Sequence, residues 1–263
     1  METFVIANQK GGVGKTTTVL NLGASLAIKG KKVLLIDLDP QANLSSGLGF
    51  TKQFDKDSWT QTEEAPYKSI YDVLVNKTPL SEVFVTTNQE NLMLVPSHLS
   101  LAGAEIEMVN MLARETLLKK AIENFQADID YILIDCPPSL GLLTINALTA
   151  SDQLIIPIQC EYFALEGLGQ LIQTTKLIKG INPHLQIGGV ILTMFDSRTR
   201  LSSNVVDDVR EFFKEKAFKN VVPRNVRLSE APSFGQSIFE YDDSSTGAQA
   251  YEALAKDFIK RFE

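Results

Sequence analysis

Apolar residues fall along this chain in short, nearly continuous runs separated by stretches with helical spacing. The runs at 4–8, 32–37, 92–96, 131–136, 154–158 and 187–194 have strand length, and a shorter one surrounds Val221 and Val222. Between most of them apolar positions recur every three or four residues, which predicts helices over 15–29, 114–125, 165–179, 203–213 and 247–262. Apolar strands alternating with helices predict an α/β fold: a mainly parallel, twisted sheet with helices on both faces. The segment 51–68 breaks the pattern. It is polar and mixed in charge, with Trp59 as its only large anchor, and reads as a surface insertion. No internal repeat is present. At 263 residues and 44% hydrophobic the expectation is one compact domain spanning 1–263, with that insertion.

In such a sheet, ligands gather at the carboxyl ends of the strands. The first strand is followed by Gln9-Lys10-Gly11-Gly12-Val13-Gly14-Lys15-Thr16-Thr17 and then a helix. Strand, glycine-rich turn and helix make a phosphate-binding loop: amide groups and the positive end of the helix dipole converge on an anion. Lys15 reaches the β- and γ-phosphates of a nucleotide, and the Thr16 hydroxyl ligates Mg²⁺. The usual loop begins with glycine, but here Gln9 stands first and a second lysine, Lys10, follows it. A dinucleotide site is not expected, because the G-x-G-x-x-G spacing is absent.

Two further strands end in acids. Asp37 and Asp39 close the second strand on the same side, where a γ-phosphate and metal would lie. Neighbouring carboxylates are costly unless a cation or proton separates them, and a Mg²⁺-nucleotide supplies the cation. Asp135 ends the run Tyr131-Ile132-Leu133-Ile134 and takes the second metal-binding position of a nucleotide hydrolase. Pro137 and Pro138 then stop the strand.

The net charge of −7 argues against a wholly basic nucleic-acid binder, so any DNA contact must come from a local patch. No apolar run approaches the roughly 20 residues of a membrane span, and no signal peptide is expected ahead of the first strand. Cys136 and Cys160 lack C-x-x-C spacing and read as buried free thiols. His98 and His184 read as structural or exposed, and Met93, Met108, Met111 and Met194 as core fillers.

The paired lysines of the loop resemble the deviant Walker A family typified by ParA, Soj, MinD and the nitrogenase iron protein. The blocks DLDPQAN from Asp37, DCPPSLGLLTINALTA from Asp135, QCEYFALEG from Gln159 and PRNVRLSEAPSFG from Pro223 resemble its ParA/Soj branch of partition ATPases over nearly the whole chain except 51–68. The resemblance implies an ATP- and Mg²⁺-dependent, slow ATPase that is cytoplasmic and associated with the nucleoid. Binding of ATP closes a homodimer in which Lys10 touches the partner's phosphates. The closed dimer holds double-stranded DNA without sequence preference, and a ParB (Spo0J-like) protein stimulates hydrolysis to release it. In these terms Lys10, Lys15 and Asp39 are catalytic, Asp39 orienting the attacking water. Residues Lys10 to Thr17 (Lys10, Gly11, Gly12, Val13, Gly14, Lys15, Thr16, Thr17) bind nucleotide, with Met194 and Pro223 near the adenine. Thr16, Asp37 and Asp135 serve the metal. Arg198 and Arg227, helped by Arg200 and Arg224, contact DNA, whereas Lys214, Lys216 and Lys219 read as a wet helix face. An N-terminal helix-turn-helix is not expected, since the loop starts about where the chain starts.

Two other readings use the same scaffold. A MinD-like membrane-associated ATPase would use the apolar face Tyr251, Leu254, Phe258, Ile259 and Phe262, but its polar side mixes acids and bases evenly, so no membrane partner is expected. An ATP-dependent amide synthetase, like dethiobiotin synthetase, needs a separate substrate-binding cluster, and none is left unassigned. The cysteines also lack the paired placement that an iron–sulfur cluster requires.

Overall fold

In the computed structural model, which describes residues 1–50, 54–55, 60–61 and 67–263, nine strands and eleven α-helices are found among the described residues. The strands are β1 (Glu2–Ile6), β2 (Val33–Asp37), β3 (Phe54–Asp55), β4 (Thr60–Gln61), β5 (Val85–Thr86), β6 (Leu92–Val95), β7 (Tyr131–Asp135), β8 (Gln153–Gln159) and β9 (Gln186–Thr193). The helices are α1 (Lys15–Ile28), α2 (Asn43–Gly47), α3 (Ile70–Leu74), α4 (Leu101–Met108), α5 (Leu117–Glu123) and α6 (Leu142–Ala150). After them come α7 (Leu168–Ile178), α8 (Arg200–Phe213), α9 (Val226–Glu230), α10 (Ile238–Tyr241) and α11 (Thr246–Phe262).

Seven strands form one sheet in the order β5-β6-β2-β7-β1-β8-β9, all parallel except the edge strand β5. Period-two alternation sends Val5, Leu34, Ile36, Ile132 and Ile134 into one core, beneath α3 to α8. Phe4, Ile6, Val33, Leu35, Tyr131 and Leu133 enter the other, beneath α1 and α11. Both faces are covered, which is why the strands read as unbroken apolar runs. Helix α1 lies so near β2 that a Cβ on Gly23 would come within 2.6 Å of Leu35.

The predicted strands and helices lie within a few residues of the observed ones, with instructive exceptions. The periodicity does not predict the short helices α2, α3, α9 and α10, nor the longer α4 and α6. Leu142–Ala150 is apolar almost all round, so it shows no stripe, and six of its nine residues are buried. Around Val221 and Val222 no strand forms; the segment is tied to β9 and the turn after it by isolated bridges, Val190 to Ala217 and Phe195 to Pro223, and by the Val222 amide donating to the Leu192 carbonyl at 2.8 Å. Helix α8 starts at Arg200, three residues early, because the Thr199 side chain accepts from the Ser202 amide and caps it there. Within 51–68 the backbone of β3 pairs antiparallel with β4; Trp59 and the surface-insertion reading otherwise lie outside the described residues.

The apolar face of α11 is consumed by packing. Tyr251, Leu254 and Phe258 are buried, and Phe258 packs tilted against Phe4 and Phe262 and edge-on to Tyr131. Lys29 bonds Glu252, and Lys31 and Tyr131 both bond Glu263, pinning the helix along its length. The face proposed for a membrane therefore belongs to the core. No helix among the described residues is long and apolar enough to cross a membrane.

Candidate nucleotide site

Because β1 lies between β7 and β8, the loop that leaves it opens over the centre of the sheet, where the connections diverge. Gly12 and Gly14 have φ of +72° and +86°, a left-handed backbone that side chains rarely adopt. Nothing lies within 4 Å of where a Cβ on Gly11 or Gly12 would sit, so the loop faces open space. Helix α1 begins at Gly14 with no side-chain cap and no acid in its first turn. Its first amides are thus free to receive an anion. Val13 is fastened from behind by the Thr193 hydroxyl, which donates to its carbonyl at 2.8 Å. Asn8 braces the same turn, donating to the Pro157 carbonyl at 2.7 Å and accepting from the Lys10 amide at 3.0 Å.

Lys15 is buried and donates to the Lys10 carbonyl at 3.0 Å. Burial pulls its ammonium below the ordinary lysine value, opposed mainly by the charge of Asp135. Thr16 and Thr17 stand half-buried at the same helix start. The Lys10 side chain forms no ion pair among the described residues.

Register brings the acids together: β2 and β7 pair so that Asp37 stands directly opposite Asp135. Both are fully buried. Burial, reinforced by the Asp37 charge, holds the Asp135 carboxyl well above the carboxylate range. Among the described residues neither Asp135 oxygen has a hydrogen-bond partner of good geometry, so a buried, under-satisfied acid sits beside the Lys15 ammonium and the Thr16 hydroxyl, which draws its carboxyl back down in part. Asp37 differs. Burial raises it to about 6 against the pull of donors: Oδ2 accepts from the Ser45 amide and hydroxyl at 2.8 and 2.7 Å, and Oδ1 from the Asp39 amide at 3.2 Å. Asp39 reaches the cleft, with Oδ1 accepting from the Gln41 amide at 2.9 Å. No cluster of three or more His, Cys, Asp or Glu among the described residues forms a complete metal cage. A cation here needs oxygens from a bound phosphate as well, as Mg²⁺ usually does.

The cleft measures ≈ 710 Å³ and runs from Gly12, Lys15 and Thr16 past Asp39 and Pro138 to Met194, Pro223 and Asn225. That volume suits a nucleotide. Met194 is not a core filler. It lines the cleft with φ +52°, and its sulfur accepts from Gln159 Nε2 at 3.2 Å. Met108 is core, while Met93 and Met111 pack at its edge. Both cysteines are free and buried, His98 is buried and His184 exposed. Thr193, Ser45, Ser97 and Asn225 join the site without a sequence signal, since single polar residues at strand and helix ends are common.

The segments that carry the four arginines adjoin at the irregular edge of β9. The Arg224 amide donates to the Phe195 carbonyl at 2.9 Å, setting the 195–200 turn beside 223–227. All four are exposed. Arg198 grips Asp196 with two bonds of 2.9 and 2.7 Å and holds that carboxyl far below its usual range. Arg224 pairs with Glu161 at 2.7 Å, and Arg227 with Glu230 at 2.9 Å and Asp242 at 3.6 Å. Lys216 bonds the Ile187 carbonyl at the opposite end of β9, away from this group, in keeping with a wet face for the lysines.

A glycine turn, an uncapped helix start, a buried lysine and an under-satisfied acid at adjacent strand ends define a P-loop nucleoside triphosphatase. A family model described as an AAA domain matches residues 1–187. The sporulation initiation inhibitor protein Soj of Bacillus subtilis (strain 168) is 53% identical over 255 residues, 97% of this chain and 96% of that protein. The chromosome partitioning protein ParA of Myxococcus xanthus (strain DK1622) is 51% identical over 257 residues, 97% of this chain and 87% of that protein. Among solved structures, cobyrinic acid a,c-diamide synthase from Mycobacterium smegmatis with bound ADP and magnesium superposes with a TM-score of 0.82. It is 36% identical and covers 100% of this chain and 95% of that one. The chain belongs to the ParA/Soj family of chromosome-partitioning ATPases.

Proposed function

We propose that this protein is a DNA-partition switch worked by ATP, forming a single P-loop domain with an insertion at 51–68. The observation that carries the reading is Asp135, whose two buried oxygens have no partner of good geometry among the described residues, beside Lys15 and the open start of α1. Thr16 and Asp135 would hold Mg²⁺ together with the nucleotide's own oxygens, and Asp37 adds negative charge from behind. When bound, the ion neutralises charge that develops on the phosphates. Lys15 and the amides of 11–17 orient the triphosphate, Met194 and Pro223 receive the adenine, and Asp39 orients the attacking water.

The Lys10 side chain, without an ion pair among the described residues, reaches the phosphates of a second copy. One charge-assisted contact contributes about 1.5–3 kcal/mol, and symmetry doubles it. That shifts a monomer–dimer balance by roughly two to four orders of magnitude, enough for a switch. The closed pair then grips double-stranded DNA at the nucleoid through Arg198, Arg227, Arg200 and Arg224, without sequence preference. A ParB-like partner completes the site and triggers release; alone, turnover is slow, about 10⁻⁴–10⁻² s⁻¹.

The test is a DNA-binding titration with ATP, with ADP and without nucleotide, at two salt concentrations. Binding should require ATP and weaken steeply with salt. Equal affinity with ADP or no nucleotide would overturn the proposal.

A further inference from the structure

A chain of buried hydrogen bonds joins the carboxyl ends of β2 and β6 and terminates on Asp39. Ser45 Oγ donates to Asp37 Oδ2 at 2.7 Å and accepts from the Ser97 amide at 2.9 Å. Ser97 Oγ donates to the Asp39 carbonyl at 2.8 Å, while the Asp39 amide donates to Asp37 Oδ1 at 3.2 Å. Both main-chain polar groups of Asp39 are therefore held from behind. Asp37, Ser45 and Ser97 are each fully buried.

We infer that Ser97 and Ser45, anchored on Asp37, are positioning residues that aim Asp39 at the attacking water. The inference rests on the assignment of Asp39 as the water-orienting group. Three observations carry it beyond ordinary packing. First, the loop being held is not at rest by itself: Ala42, three residues after Asp39, has φ +51°, a left-handed backbone that alanine adopts at a cost. Secondly, Ser97 lies on the loop that follows β6, so Asp39 takes its place from the end of β6 as well as from the end of β2. Thirdly, a buried polar chain is no better than apolar packing for stability, but it fixes geometry in a way that packing does not. Orienting a water demands that precision, because small misplacements lower rates steeply. Asp37 is thereby an anchor for the loop, with its oxygens engaged by Ser45 and Asp39, whereas those of Asp135 have no partner of good geometry among the described residues.

The test is single-turnover ATP hydrolysis by the whole protein with Mg²⁺ and plasmid DNA, alongside direct measurement of ATP affinity. Ser97→Ala should slow hydrolysis about fivefold or more, the loss expected for one oriented hydrogen bond, with ATP affinity held within about twofold. Hydrolysis at the wild-type rate, or loss of ATP affinity in the same proportion as rate, would overturn the inference. Should Ser97→Ala not fold, Ser45→Ala is judged by the same criteria. Asp39→Ala is run in parallel. If it hydrolyses ATP normally, the assignment of Asp39 itself fails; if it is inactive while Ser97→Ala is normal, only the positioning role fails.

Discussion

The phosphate end of the cleft and the arginine group are built in opposite ways. At the phosphate end, Lys15, Asp37 and Asp135 are buried; the sheet register fixes the two acids, and the start of α1 fixes the lysine. At the other, Arg198, Arg224 and Arg227 are exposed, stand on loops and helix starts, and rest on carboxylates of their own chain. Buried charges are expensive, so their arrangement must be complete or await a ligand. Exposed ion pairs contribute little and are easily exchanged. The comparison teaches that one region is fixed by burial and packing, whereas the other is held only by solvent-exposed ion pairs that a competing anion could exchange.

The largest expected effect is at the buried end. Lys15→Ala should lower ATP affinity by about a hundredfold or more in a fluorescent-nucleotide titration, since a desolvated charge contact is removed from the phosphates. Retained tight binding would break the comparison at once. Next, Arg227→Glu should reduce DNA affinity by at least about tenfold in a retention assay, while ATP-dependent dimerisation measured by crosslinking stays intact. Loss of both would mean that the arginine loop serves the nucleotide as well.

A third test uses acidity. The Asp37 carboxyl is raised to about 6 in the folded protein by burial, above its unfolded value. Its protonated form is therefore favoured by folding; the contribution is present below about pH 4 and is lost as pH rises through 6. Without nucleotide or Mg²⁺ the wild type should lose more melting temperature between pH 5 and pH 7.5 than Asp37→Asn, by a few degrees. Mg²⁺-ATP should narrow the difference, because a cation offsets the buried charge; identical pH profiles would contradict this. The smallest effect is at the exposed end: Asp196→Asn frees Arg198 and should raise DNA affinity about two- to fourfold at low salt, fading as salt rises. No change would show that the carboxylate does not compete with DNA.

Much of this was legible in the chain. Contiguous motifs carry their own geometry: the glycines at 12 and 14, Lys15 and Thr16 are placed by a strand, a turn and a helix start within twenty residues. Reading Met194 as a core filler was misleading, because a methionine at a strand end looks the same whether it fills a core or lines a cleft; only the family resemblance set it toward the cleft. Helix α6 escaped notice because helical periodicity is visible only when one face stays wet.

Local order, the strand alternation and the phosphate loop were determined by sequence alone, because steric preference and hydrophobic period act over a few neighbouring residues. Tertiary structure decided three things: Asp37 standing across from Asp135, Ser97 reaching Asp39, and two arginine loops lying side by side. Each joins segments far apart in the chain, and such meetings are settled by which strands pair, and in what register, when both faces of the sheet are buried.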